Sequence, residues 1–279
     1  MTDSAATFML IGESDVGKTH YGAQLLRRLN SPNGSMTLEN SDNLEPFIET
    51  MNNISKGLSG RHTPQSESTT SRWVVSRNRD KTKFELNWPD YGGEQVSSII
   101  NDRRMPSIWH EKIVKATAWA FMIRPSRVSL PEDVLTRGSC LPQTQDSSDT
   151  TLSAQSRLIE ILQMLRFKNS AYSESSQPPP PMAVLLSCYD ELNTGLSPDE
   201  YCRKHLPLLD SYLSTNWGQD KLKFFGVSPL GQPLSDSKPN EQYIEDGAEE
   251  KGYVVNDEKT STNDLLLPID WMLSAAMKE

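Results

Sequence analysis

Apolar positions along the chain alternate between two rhythms. Thr7-Phe8-Met9-Leu10-Ile11 is a short apolar run, and Tyr21, Leu25, Leu26 and Leu29 follow at helical spacing. Ser31-Pro32-Asn33-Gly34 reads as a turn. Leu44, Phe47, Ile48, Met51, Ile54 and Leu58 fall on one helical face, which predicts a helix over about 43–58, stopped by Gly57 and Gly60. Residues 61–71 are polar and rich in Ser and Thr. Trp73-Val74-Val75 opens a strand, and Phe84, Leu86 and Trp88 alternate with Glu85 and Asn87 in a second, with a hairpin turn at Asn78–Lys81. A helix-like stretch then reaches about Thr117.

The second half has fewer alternating patterns and more continuous apolar runs. Ala118–Ile123 and Met182–Leu186 are apolar throughout, as strands covered on both faces are. Between them lie a polar stretch at 126–150, a helix marked by Leu152, Leu158, Ile159, Ile161, Leu162 and Leu165, and an extended connector from Ser173 to Pro181. Ser197-Pro198-Asp199-Glu200 is a helix start, with Ser197 as N-cap and Glu200 closing a capping box; that helix is expected to run towards Trp217. Leu222, Phe224, Phe225 and Val227 form a last strand, residues 232–262 read as an acidic loop, and Leu265–Met277 as a closing helix. Strand, loop, helix, hairpin and then alternating helices and strands predict an α/β fold, a doubly wound, mostly parallel sheet with one antiparallel edge strand. Insertions at about 31–71, 126–150 and 232–262 into one domain spanning 1–279 account for the length better than a second domain does.

Between the first strand and the first helix stands Gly12-Glu13-Ser14-Asp15-Val16-Gly17-Lys18-Thr19, which matches the phosphate-binding P-loop pattern G-x-x-x-x-G-K-[ST]. Gly12 and Gly17 let the backbone curl so that successive amides point at a phosphate. Lys18 sets a cation against the β- and γ-phosphates, Thr19 offers a hydroxyl to Mg²⁺, and the helix start adds the positive end of its dipole. His20 comes next, within reach of a nucleotide or on the helix surface. A second constellation closes the hairpin, Asp90-Tyr91-Gly92-Gly93. An Asp at the end of a strand can hold Mg²⁺, usually through a water, and Gly93 lets an amide approach the γ-phosphate.

P-loop, hairpin and D-x-x-G in this order resemble the Ras-like, translation-factor-related P-loop small GTPases, over most of the chain. The resemblance implies a P-loop NTPase fold, bound GTP or GDP, and Mg²⁺. It implies that a Thr ahead of the hairpin reaches Mg²⁺ when triphosphate is bound, and Thr69 and Thr70 stand there. The family reads its base through [NT]-K-x-D; the corresponding stretch is Ser187-Cys188-Tyr189-Asp190. Asp190 keeps the acceptor for guanine N1–H and the 2-amino group, while Cys188 and Ser187 depart from the pattern; a helix cap or a loop residue is the alternative role for Asp190. Ser228-Pro229-Leu230 follows the last strand, where the family has a loop contacting the base. Many relatives place Gln directly after D-x-x-G to orient the attacking water; here Glu94 follows and Gln95 comes next. The added helix before the first switch and the closing helix resemble bacterial GTPases that occur as paired double-GTPase components of conflict or phage-defence systems.

Composition narrows the partners. A net charge of −9 argues against a large nucleic-acid or anionic-membrane surface. No apolar run approaches the ~20 residues of a membrane span, and no basic region precedes an apolar one at the N-terminus. Cys140, Cys188 and Cys202 are too scattered for a disulfide framework or a metal site, so a reducing cytoplasm is the simplest setting. The expected function is a Mg²⁺-dependent GTP-hydrolysing switch, with Lys18, Glu94 and Gln95 as catalytic candidates and an effector or regulator protein, such as a second GTPase, as partner. A P-loop ATPase or kinase and a non-hydrolysing nucleotide-binding module are the alternatives.

Overall fold

The computed structural model describes residues 6–32, 34–60, 69–90, 94–128, 153–171, 178–248 and 250–278; of Thr69, Thr70, Pro89, Asp90, Glu94, Ile108 and Ala171 it describes the backbone alone. The chain begins β1 (Ala6–Ile11), α1 (Lys18–Leu29), β2 (Met36–Asp42), α2 (Glu45–Ser55), β3 (Thr69–Arg77) and β4 (Lys83–Asp90). It continues α3 (Glu94–Asp102), α4 (Ser107–Lys115), β5 (Ala118–Ile123), α5 (Ala154–Ala171), β6 (Met182–Ser187), α6 (Pro198–His205), α7 (Pro207–Asn216) and β7 (Leu222–Ser228). It closes with α8 (Glu241–Glu245), β8 (Tyr253–Val255), β9 (Ser261–Thr262) and α9 (Leu267–Ala276).

All these strands join one sheet in the order β2-β3-β4-β1-β5-β6-β7-β8-β9. The central run β4-β1-β5-β6-β7 is parallel, with Phe8 level with Leu86 and Ala118, and Leu185 level with Met122 and Phe225. This is the doubly wound, mostly parallel sheet expected. The residues after the parallel strands therefore emerge on one edge: Gly12 after β1, Asp90 ending β4, Arg124 after β5, Cys188 after β6 and Ser228 ending β7. In open α/β sheets that edge is where ligands bind.

Alternate residues of the central strands feed two cores, which explains their continuous apolar runs. Phe8, Leu10, Ala120, Met122, Leu185 and Phe225 pack with Leu25, Leu29, Ile269 and Met272 of α1 and α9. Met9, Ile11, Phe121, Ile123, Val184 and Leu186 pack with Ile99, Trp109, Ile161, Leu165 and Leu213 on the opposite face.

Four expectations are corrected. The expected single antiparallel edge strand, β3, is present, but antiparallel strands flank both edges: β2 outside β3, and β8 and β9 beyond β7. β2 hides in the sequence because it pairs on one side only, carries a bulge between Leu38 and Asn40, and fully buries only Met36. Residues 232–262 are not all loop: Asn240 caps α8 by accepting from the Tyr243 amide at 3.0 Å, and Tyr243 and Val254 reach the core. The helix-like stretch to Thr117 divides into α3 and α4, separated by Arg103 at φ 49° and by Pro106. The helix towards Trp217 divides at Leu206, because Pro207 cannot donate the next helical hydrogen bond. The Ser197–Glu200 capping box forms as expected, with the Ser197 amide donating to Glu200 Oε2 at 2.9 Å.

Candidate functional site

The phosphate-loop octet leaves β1 and turns into α1. Gly17 sits at φ 86°, a left-handed conformation that favours glycine, and its carbonyl accepts from the Tyr21 amide at 3.0 Å, the first helical bond of α1. A Cβ on Gly12 would lie 2.8 Å from the Met122 carbonyl oxygen, so the loop can cross β5 only with glycine there. Lys18 is 8% exposed, and its ammonium donates to the carbonyls of Gly12 at 2.9 Å and Glu13 at 2.5 Å. The backbone N–H groups of Ser14, Val16 and Gly17 donate to no other described residue. A buried ammonium ringed by loop carbonyls, beside unused amides, is the donor set that a polyphosphate requires. The residues present thus fit a phosphate chain.

Two arginines that sequence reasoning missed flank this loop. Arg157, in the first turn of α5, donates to Glu13 Oε1 at 2.9 Å and to Ser97 Oγ of α3 at 3.3 Å. Arg124 donates from Nη1 to the Asp15 carbonyl at 3.2 Å and from Nε to Glu191 Oε2 at 3.1 Å; its Nη2 bonds Glu191 Oε1 as well. The Glu191 hydrogen bond raises the Arg124 pKa above its ordinary value. Burial acts to raise the Glu191 pKa, but the bonds from Arg124 and Ser126 outweigh it and hold the carboxyl below the usual range. Arg124 had a signal in the sequence, since it directly follows a buried strand at the ligand-binding edge. Arg157 had none, because its partners lie far away in the chain.

The second loop follows β6. Ser187 is fully buried and donates to the Ile123 carbonyl at 3.1 Å, which anchors the turn to β5. Cys188 takes a left-handed conformation at φ 50°, and its Sγ would lie 3.8 Å from a Cβ built on Gly17. Burial pushes its thiol up to about 11, so the thiol is neutral near pH 7. Asp190 is the second residue of a short 3₁₀ turn, Tyr189–Leu192, and its Oδ1 accepts from Ser228 Oγ at 2.5 Å. Ser228 Oγ in turn accepts from the Gly231 amide at 3.0 Å. Two residues singled out in the sequence, Asp190 and Ser228, are thus brought together, and Asp190 Oδ2 has no partner among the described residues.

Backbone register places the metal candidates. Thr69 pairs with Asp90 and Thr70 with Pro89 at the end of the hairpin, and Asp90 stands three positions past Asn87 as Gly12 stands three past Met9, its parallel partner. Thr19 is half-buried in the first turn of α1. Thr19, Thr69, Thr70 and Asp90 therefore share one edge. Among the described residues there is no group of three or more His, Cys, Asp or Glu side chains that could hold a metal ion. Gly93 lies outside the described residues, as do residues 61–68 and 129–152. Glu94 opens α3, and the Gln95 amide oxygen accepts from the Trp109 indole at 3.4 Å, which turns Gln95 towards α4. His20 does not face the phosphate loop through its Nε2, which bonds the Ser59 carbonyl just beyond α2.

The family model described as Double-GTPase 1 matches residues 9–272. No curated protein matches the chain in sequence. Among solved structures, it is similar to a chain of the signal recognition particle receptor SRb-GTP/SRX complex from Chaetomium thermophilum, with 14% identity, 87% of this chain and 97% of that chain covered, and a TM-score of 0.43.

Proposed function

This chain belongs to the Double-GTPase 1 family, and from that premise we propose that it binds GTP with Mg²⁺, hydrolyses it to GDP and serves as a nucleotide switch for a partner protein. The observation that carries the reading is the Lys18 ammonium held by the Gly12 and Glu13 carbonyls at the centre of a loop with unused amides. The loop amides and Lys18 bind and orient the phosphates and offset charge gathering on the β–γ bridging oxygen and the γ-phosphoryl oxygens. Thr19, one of Thr69 and Thr70, and Asp90 (through a water) are the residues to hold Mg²⁺, whose charge when bound neutralises phosphate oxygens. Asp190, held in place by Ser228, accepts from the guanine edge.

The whole chain acts here as one P-loop domain, with added segments at about 31–71, 126–150 and 232–262. Residues 61–71 and 91–105 follow the phosphate loop in the chain and are the segments that would respond to the γ-phosphate. The family description supports a second GTPase as the partner, and the layout that resembles paired conflict-system GTPases supports a role in bacterial defence. No helix among the described residues is long and apolar enough to cross a membrane, and we place the protein in the cytoplasm.

Two observations favour a second reading. Gln95 is engaged by Trp109 rather than turned to the loop, and Cys188 stands where the family has lysine. A nucleotide-binding module without turnover would keep Lys18 and Asp190 and lose the water-orienting group. Affinity for GTP against ATP with Mg²⁺, measured for the intact chain and for Lys18→Ala, tests binding; γ-phosphate release tests turnover. The expected result is GTP preference, an affinity reduced about 100-fold in Lys18→Ala, and release of phosphate from GTP. Tight GTP binding with no phosphate release selects the second reading, and equal ATP binding removes the guanine assignment.

A further inference from the structure

Arg124 connects the two ligand loops. It is the first residue past β5, the strand between β1, which leads into the phosphate loop, and β6, which leads into the Asp190 turn. Its guanidinium reaches both sides at once: the Asp15 carbonyl at 3.2 Å on one, and both carboxylate oxygens of Glu191 on the other. Ser126 Oγ donates to Glu191 Oε2 at 2.6 Å and fixes the acceptor. The Arg124 and Glu191 side chains are 23% and 22% exposed, so water screens the pair only in part.

We propose that the Arg124–Glu191 pair is an interloop brace that holds the phosphate loop and the base-reading turn at the separation a nucleoside di- or triphosphate must span. The inference rests on the reading above, which puts phosphates on Gly12–Thr19 and the base at Asp190. A ligand that bridges two subsites gains from the second only in so far as the subsites are held at matching distance, and holding them before binding removes an ordering cost. Both loops take unusual backbone conformations where the brace attaches or adjoins, Asp15 at φ 59° and Cys188 at φ 50°. Cys188 lies near the phosphate loop, its Sγ 3.8 Å from a Cβ built on Gly17, but carries no cation to bridge the loops as Arg124 does. Arginine has five donors in a rigid fork and can hold a carboxylate bidentately while reaching a third acceptor; lysine offers a single point charge and cannot reproduce that geometry.

The brace predicts that ligands filling both loops depend on Arg124 and ligands filling one do not. The test is calorimetric binding of GDP and of inorganic pyrophosphate, with Mg²⁺, to the full chain and to Arg124→Ala, Arg124→Lys and Glu191→Gln. Arg124→Ala is expected to weaken GDP about tenfold, the scale of one charge-assisted hydrogen bond, and to leave pyrophosphate affinity unchanged. Arg124→Lys is expected not to rescue, and Glu191→Gln, which keeps the side-chain shape and so the fold, is expected to weaken GDP in the same selective way. Adding Glu191→Gln to Arg124→Ala is expected to cost nothing further. Equal loss of pyrophosphate affinity would overturn the brace and assign Arg124 to the phosphate loop alone; unchanged GDP affinity in both Arg124→Ala and Glu191→Gln would overturn it outright. If the unaltered chain binds ADP as well as GDP, the guanine reading fails while the brace is judged on ADP by the same comparison. A chain that binds neither diphosphate overturns both.

Discussion

Lys18 is the residue whose role was plainest in the sequence, because the octet around it fixes four of eight consecutive positions, two glycines, the lysine and a hydroxyl residue. Its neighbours across space were hidden. Arg157 meets Glu13 and Arg124 meets Asp15 and Glu191 through contacts between residues 67 to 144 positions apart, and no local spacing encodes such pairs. These arginines set positive charge beside a phosphate loop that itself carries Glu13 and Asp15. Cys188 shows the same limit from the other side: its departure from lysine is legible in sequence, but its burial against the phosphate loop is not. Burial pushes that thiol up to about 11, and the thiolate is the reactive form. Alkylation of Cys188 by iodoacetamide at pH 8, followed by peptide mass spectrometry, is expected to run about 100-fold slower than that of a free thiol. The rate is expected to climb as pH rises towards 11. Rapid labelling at pH 8 would show that the side chain is not packed at the loop junction.

At the scale of elements, α2 and the β3–β4 hairpin form one aromatic unit beside the candidate switch. Trp73 and Trp88 stack at 5.2 Å with an interplanar angle of 11°, and Phe47 of α2 meets both edge-on at 5.1 and 5.7 Å. The apolar spacing that predicted α2 is the spacing that delivers Phe47 to this cluster. Beyond α2, the Ser59 amide bonds the Ser235 carbonyl at 3.1 Å and the Asn240 amide bonds the Gly57 carbonyl at 3.1 Å. The residues leading up to 61–68 are thereby anchored to the loop before α8. Phe47→Ala removes a fully buried ring and is expected to cost about 3–5 kcal/mol in urea unfolding. A loss under about 1 kcal/mol would mean that α2 is not docked on the hairpin. α2 and the hairpin were legible because each carries its own periodicity. β2, β8 and β9 were not, since strands at or next to a sheet edge need few apolar residues and are defined by their partners' hydrogen bonds.

For the whole molecule, the last helix completes the first core. Ile269, Met272 and Leu273 of α9 are each no more than 2% exposed, and the Tyr21 hydroxyl of α1 donates to the Leu265 carbonyl at 2.9 Å. Burial drives the Tyr21 phenol well above its ordinary pKa, so it stays a donor across the working pH range. Removing residues 265–279 would uncover at least three core side chains, a loss of roughly 5–9 kcal/mol against a total stability of about 5–15 kcal/mol. Circular dichroism melting of that truncation is expected to show no cooperative transition; a melt like that of the full chain would show that α9 is dispensable to the fold. The central α/β pattern, the phosphate loop between β1 and α1, and the capping box at Ser197 are legible along the chain, because each depends on residues within a few positions of one another. Only the tertiary structure decided which strands lie at the edges, where the helices break, that Ser228 holds Asp190, and that Arg124 joins the two loops. Those features come from strands brought side by side, and hydrogen bonds between distant residues leave no period in the chain to read.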